Sequence, residues 1–207
     1  NGRVFVWQEP DLSGNLLGSY EPVIKLVTPK QKQLFTAKFG IKPTNSTEIV
    51  SEFALSNQDL NTFSTIDNQD DIGVGVHLSL RDTRYVNKDS TNRFLISADY
   101  EFKQDNFLPL ERYRNIEFQR NWNADNNVKS NDHLGFLEAK FLNSKKGSVS
   151  YRFSFFNQDT IYTGFENNVN ANFSDNGYEA STDVKWLLSE SQIEKTNFLR
   201  LLGRLTN

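Results

Sequence analysis

Apolar and polar residues alternate with a period of two along most of this chain. That period marks β-strands with one apolar and one polar face. Over 34–42, Phe35, Ala37, Phe39 and Ile41 fall on one side and Thr36, Lys38, Gly40 and Lys42 on the other. Over 48–56, Ile49, Phe53 and Leu55 oppose Glu48, Glu52 and Ser56. Over 73–82, Val74, Val76, Leu78 and Leu80 oppose Gly75, His77, Ser79 and Arg81. Over 92–102, Phe94, Ile96, Ala98, Tyr100 and Phe102 oppose Arg93, Ser97, Asp99 and Glu101. A strand buried on both faces would read as a continuous apolar run instead.

The pattern returns about one hundred residues later, which points to an internal repeat. Leu34–Phe39 is echoed by Phe136–Phe141, Phe53–Asp59 by Phe153–Asp159, and Thr91-Asn92 by Thr196-Asn197. Leu137, Ala139 and Phe141 form one face; Val149, Tyr151, Phe153 and Phe155 form the next. Ala180, Val184, Trp186 and Leu188 form a third, and Leu199, Leu201 and Leu205 a fourth. Phe198, Leu199, Leu201 and Leu202 also fit the start of a short helix. Val4-Phe5-Val6-Trp7 and Val23–Val27 read as a strand pair that continues a sheet begun upstream. The expected organisation is all-β: a strand pair in 1–32, then two tandem four-stranded up-and-down antiparallel repeats in 33–132 and 133–207.

Connections at 43–47, 83–91, 143–147 and 189–195 are short, and those at 57–72, 103–132 and 157–176 are long. Strict up-and-down order gathers the long ones at one end. Short turns at one end and long loops at the other suit a segment of an outer-membrane barrel. An extended soluble sheet packed on a shared core wants the same alternation. Periodicity leaves both architectures open.

Composition narrows the function classes. Among the 207 residues, seventeen Phe, seven Tyr and three Trp are far more aromatic residues than a disordered chain carries. The net charge of −3, without basic blocks, argues against a nucleic-acid partner. With no Cys, thiolate nucleophiles and thiolate metal sites are excluded. The longest apolar runs fall short of a transmembrane helix, which leaves a strand-built membrane protein open.

Asp67, Asp70 and Asp71 supply hard oxygen ligands in one loop and form a weak calcium candidate without the spacing of an EF-hand. His77, Arg81, Asp99 and Glu101 share a polar face, where a cross-strand charge ladder explains them more simply than acid–base catalysis. His133 follows Asn131-Asp132 in a polar stretch with no evident partner. No catalytic residue is assigned. The 103–132 stretch mixes aromatics with charges, and loops of that length carry function or structure of their own. Its Arg112, Tyr113 and Trp122, with Tyr162 from the next long connection, are the binding candidates. Folding of this loop back over the sheet is the competing expectation.

The segments NGRVFVWQEP, YEPVIKLVTPK, SEFALSNQDLNTFSTIDNQDDIG and PLERYRNIEFQRNWN resemble large uncharacterised envelope proteins of Bacteroidetes-type bacteria. The resemblance covers residues 1–125 and extends further only through the repeat character. It implies an envelope or secreted location and a longer parent protein, and it brings no activity and no functional residues. The expectation is therefore a non-enzymatic segment of an outer-membrane or cell-surface β protein. Its long loops would meet envelope proteins or glycans, and its apolar face outer-membrane lipid if it is a barrel. The alternative is a soluble carbohydrate-binding or carbohydrate-active module.

Overall fold

The computed structural model describes residues 4, 6–18, 27–66, 68–124 and 129–206. Nine strands follow one another: β1 (Gln31–Ile41), β2 (Thr47–Asp59), β3 (Ile72–Tyr85), β4 (Asn92–Lys103), β5 (Asp132–Asn143), β6 (Gly147–Gln158), β7 (Tyr162–Asp175), β8 (Tyr178–Ser191) and β9 (Lys195–Thr206). A five-residue helix, α1 (Phe118–Trp122), lies between β4 and β5 and stops at Asn123 in the left-handed conformation. Each strand pairs antiparallel with its sequence neighbours, giving one up-and-down sheet in the order β1 to β9. β1 and β9 are not paired with each other, so the sheet does not close into a barrel.

The stretch 157–176, expected as a long loop, instead contains β7. Asn167, Asn168, Asn170 and Asn172 are poor strand formers. Two of them find compensation: the Asn168 and Asn170 amides both donate to Asp183 Oδ2 on β8, at 3.1 Å each. The extra strand reverses the direction of everything after it. The connection 192–194 therefore lies at the same end as 60–71, 104–131 and 159–161, while 42–46, 86–91, 144–146 and 176–177 form the other end. The turn 144–146 leads into Gly147 at φ 126°, a conformation that favours glycine.

Other expectations are corrected too. Phe198–Leu202 lies in β9, not in a helix. His133 lies in β5, where its Nδ1 pairs with the Tyr100 hydroxyl at 2.8 Å. The expected strand at 4–7 is not formed at Val4, Val6 or Trp7, and Phe5 lies outside the described residues. Of the expected strand at 23–27, only Val27 lies among them, and it is not in a strand. Phe39 and Phe141 occupy matching places, each two residues before its strand ends and on the same face. The third repeat match fails, because Asn92 opens β4 at the short-turn end and Asn197 lies near the opposite end of β9.

The strand registers put most of the apolar residues of all nine strands on one face. One hydrogen-bonded row runs Ile41, Ile49, Leu80, Ala98, Leu137, Phe153, Asn167, Trp186, Leu199. That face is open: Phe35 is 75% exposed, Leu137 55% and Leu201 68%. The accessible surface is 15522 Å² for 23.9 kDa, against about 9,900 Å² for a compact chain of that mass. Two pairs of polar side chains on this face bond to each other. The Tyr151 hydroxyl donates to Asn167 Oδ1 at 2.7 Å and the Trp186 indole N–H to Asn197 Oδ1 at 2.8 Å.

The opposite face carries ion pairs between neighbouring strands, among them Lys38–Glu52 (2.5 Å), Lys185–Glu166 (2.9 Å) and Arg152–Glu138, and a His77–Asp99 hydrogen bond (3.0 Å). The row from Ile41, the last residue of β1, reaches Leu199, seven positions before the last residue of β9. Seven residues of stagger over eight strand steps correspond to a strand tilt of about 30°.

The buried apolar cluster lies on the polar side of the sheet. Trp122, Phe156, Tyr162 and Leu187 form it, with Phe118 and Leu134 packed against them. Phe156 is 1% exposed, whereas Phe141 on the apolar face is 42% exposed. We expect Phe156→Ala to cost about 3–5 kcal/mol and Phe141→Ala under about 1 kcal/mol. Denaturant unfolding of both variants in one detergent checks this; equal losses would place the core on the wrong face.

Candidate functional site

The connection 104–131 leaves β4, crosses the polar face at the long-loop end and returns to β5. Three contacts hold it there. Gly73 and Gly75 project no side chain, and Phe107 lies in the space they leave: a Cβ on Gly73 would meet the Phe107 backbone nitrogen at 2.2 Å. Further along, α1 sets Trp122 and Phe118 against Phe156, with ring centroids 5.7 and 5.1 Å away. The Tyr162 hydroxyl donates to the Trp122 carbonyl and anchors the end of the helix.

The third contact is electrostatic and centres on Arg114. Its Nη1 donates to Asp132 Oδ2 at 2.7 Å, and its Nε and Nη2 donate to Glu101 Oε1 at 3.2 and 2.5 Å. Glu101 comes from β4 and Asp132 from β5, so the guanidinium bridges the two strands that flank the loop. Asp132 is fully buried, and four donors satisfy it: Arg114, Lys103 Nζ at 3.3 Å, Ser130 Oγ at 3.1 Å and Gln158 Nε2 at 3.1 Å. The guanidinium also sits 4.6 Å from the Phe118 ring centroid. Burial works most strongly against the charge on Arg114, but Glu101, Tyr113 and Asp132 together outweigh it and raise the guanidinium pKa. Burial, and then Glu101, push the Tyr113 phenol well above its ordinary value. It therefore remains a donor to Glu101, at 3.2 Å.

The binding candidates read from the sequence occupy three different settings. Trp122 and Tyr162 come together, but inside the buried cluster. Arg112 folds back on its own loop and donates to the carbonyls of Arg114, Asn115 and Ile116. Tyr113 is half exposed and stands, with Phe107 and Pro109, over a recess of about 340 Å³ against β1 to β4. The polar groups of that recess already have partners, Glu52 with Lys38, His77 with Asp99, Glu101 with Arg114 and Lys103 with Asp132.

Of the calcium candidates, Asp67 lies outside the described residues, Asp70 Oδ2 pairs with Lys129 Nζ at 3.3 Å, and Asp71 lines the same loop cleft. Among the described residues no three carboxylate or imidazole groups converge as metal ligands. Arg114 escapes sequence reading because nothing local separates it from Arg112 or Arg120.

The loops at this end are laced together. Lys129 reaches Asp70, the Asn131 backbone N–H donates to Asp159 Oδ2 at 2.9 Å, and Asn123 Nδ2 donates to Glu194 Oε1 at 2.5 Å. The arrangement acts as a clamp that seats one loop on the sheet and ties the other three to it.

Removal of Arg114 leaves Asp132 buried with Lys103 as its one cation. We expect Arg114→Gln to destabilise by about 3 kcal/mol and to speed tryptic cleavage at Arg112, Arg120 and Lys129. Unchanged cleavage rates would show that the clamp does not hold the loop. Comparison of the chain with family models, with curated proteins and with solved structures finds no match.

Proposed function

We propose that this chain is a non-enzymatic wall of a bacterial outer-membrane β-barrel. Its apolar face meets lipid and its polar face lines the interior. The long-loop end points away from the cell as the contact surface for envelope proteins or glycans. One observation carries the reading: an apolar face spanning nine adjacent strands is exposed, and the Tyr151 hydroxyl and the Trp186 indole on it find partners within the face. Water penalises such a face, and lipid accepts it only when its polar groups are satisfied internally.

The dimensions agree with a bilayer. A twelve-residue strand such as β4 is about 40 Å long, which at a tilt of about 30° exceeds an apolar band of about 25 Å. Aromatic rings recur toward both ends of the apolar face. Phe39, Phe94, Phe141 and Phe173 lie near the short turns, and Phe102, Phe155 and Phe165 toward the long loops. Rings at those heights match interfacial girdles.

In a bilayer the free edges of β1 and β9 must be paired. With nine strands these two run in the same direction, so their direct union would be parallel. The even strand number of single-chain bacterial barrels then calls for further strands between them. The carbohydrate-module alternative wants exposed aromatic platforms at the loop end, and Trp122 and Tyr162 are turned inward.

Trp186 is on the proposed lipid face and Trp122 in the buried cluster. In vesicles of bromine-labelled phospholipid, a Trp7→Phe/Trp122→Phe variant should lose most of its fluorescence through Trp186. A Trp7→Phe/Trp186→Phe variant should retain it through Trp122. A chain that stays monodisperse without amphiphile and shows unquenched Trp186 would refute the membrane reading.

A further inference from the structure

The two ends of the sheet differ in charge. The described residues of the connections 60–71, 104–131, 159–161 and 192–194 include seven acidic and four basic ones. The short turns 42–46, 86–91, 144–146 and 176–177 contain Lys42, Lys88, Lys145 and Lys146 against Asp89 alone. The basic end also carries a groove of about 460 Å³ beside the β5–β6 turn. Phe141 on β5 and Phe173 on β7 stand on either side of it, and both rings belong to the apolar face. Between them the lining is small or aliphatic: Gly147 and Val149 on β6, and Ala171 on β7. Lys146 lies at the mouth. Its contact to Asp175 is 3.6 Å long and solvent-exposed at both ends, so that pair leaves the ammonium open to another anion.

We propose that this groove holds an acyl chain of an anionic phospholipid whose phosphate rests against Lys146. The inference rests on the lipid-facing reading of the apolar face. Three features select this occupant. The lining is mainly apolar and continuous with the lipid-facing surface, which suits a hydrocarbon chain. Lys146 stands at the mouth, where that surface meets water, which is the level of a headgroup phosphate. The short-turn end as a whole is positive, and each lysine near a membrane favours anionic lipid. A free anion would use Lys146 and leave the groove untouched.

The test uses the full chain in detergent, with native mass spectrometry to count retained lipids. Phosphatidylglycerol and phosphatidylcholine with identical acyl chains are compared. Phosphatidylglycerol should be retained preferentially. Lys146→Gln should lower its association about five-fold, the effect of one lysine removed from an anionic surface. Ala171→Phe, which fills the groove and keeps Lys146, should lower retention of phosphatidylglycerol as well.

Trp186 quenching by brominated lipid is followed in each variant and should not change, which shows that the variant remains inserted. Equal retention of the two lipids with Trp186 quenched would overturn the groove site and leave the membrane reading standing. Full displacement of phosphatidylglycerol by glycerol phosphate, with Ala171→Phe without effect, would overturn it in favour of a bare anion site. Unquenched Trp186 in the parent chain would defeat both readings together.

Discussion

The structure depends on keeping one face of a single-layer sheet away from water. Nine strands put aromatic and aliphatic side chains on that face, and no other layer of the described chain covers it. At about 25 cal/mol per Å² of apolar surface, an open face of this breadth is a larger liability than one domain's net stability. Contact of that face with an apolar neighbour would remove the liability. The internal pairing of Asn167 with Tyr151, and of Asn197 with Trp186, fits a neighbour that offers no hydrogen bonds.

The polar face follows from the same alternation, and it is where the chain places its tertiary structure. Ion pairs between neighbouring strands run across most of it, and the long connection after β4 covers one end. A buried aspartate would be costly without its donors, and Arg114, Lys103, Ser130 and Gln158 supply them. Because Arg114 joins β4 to β5 and also stacks near Phe118, the ionic contact and the aromatic cluster seat the loop together. The glycines of β3 complete the seat by letting the chain at Phe107 approach the sheet closely.

Two ends of one sheet with opposite charge and unequal loops give the molecule a direction. The acidic loops are laced together, while the basic turns stand beside the apolar face. Such asymmetry suits a protein whose two ends meet different surroundings.

Much of this was legible in the residues themselves. A period of two specified strands, faces and antiparallel order, because adjacent side chains on a strand must point opposite ways. The matching places of Phe39 and Phe141 follow from that rule. β7 was masked by its asparagines, which locally favour turns; Phe165, Val169, Ala171 and Phe173 carried the alternation that reveals it. The helical option at Phe198–Leu202 arose because β9 is apolar on both faces, which blurs period two. Contacts between distant residues were not legible. Arg114, Glu101 and Asp132 look like any surface charges until the sheet brings β4 and β5 side by side and the loop returns across them. Trp122 and Tyr162 read as free aromatics until α1 turns one onto the other. Alternation is a property of neighbours along the chain and can be read there, whereas burial and charge pairing belong to residues far apart in sequence and are decided only when the chain is folded.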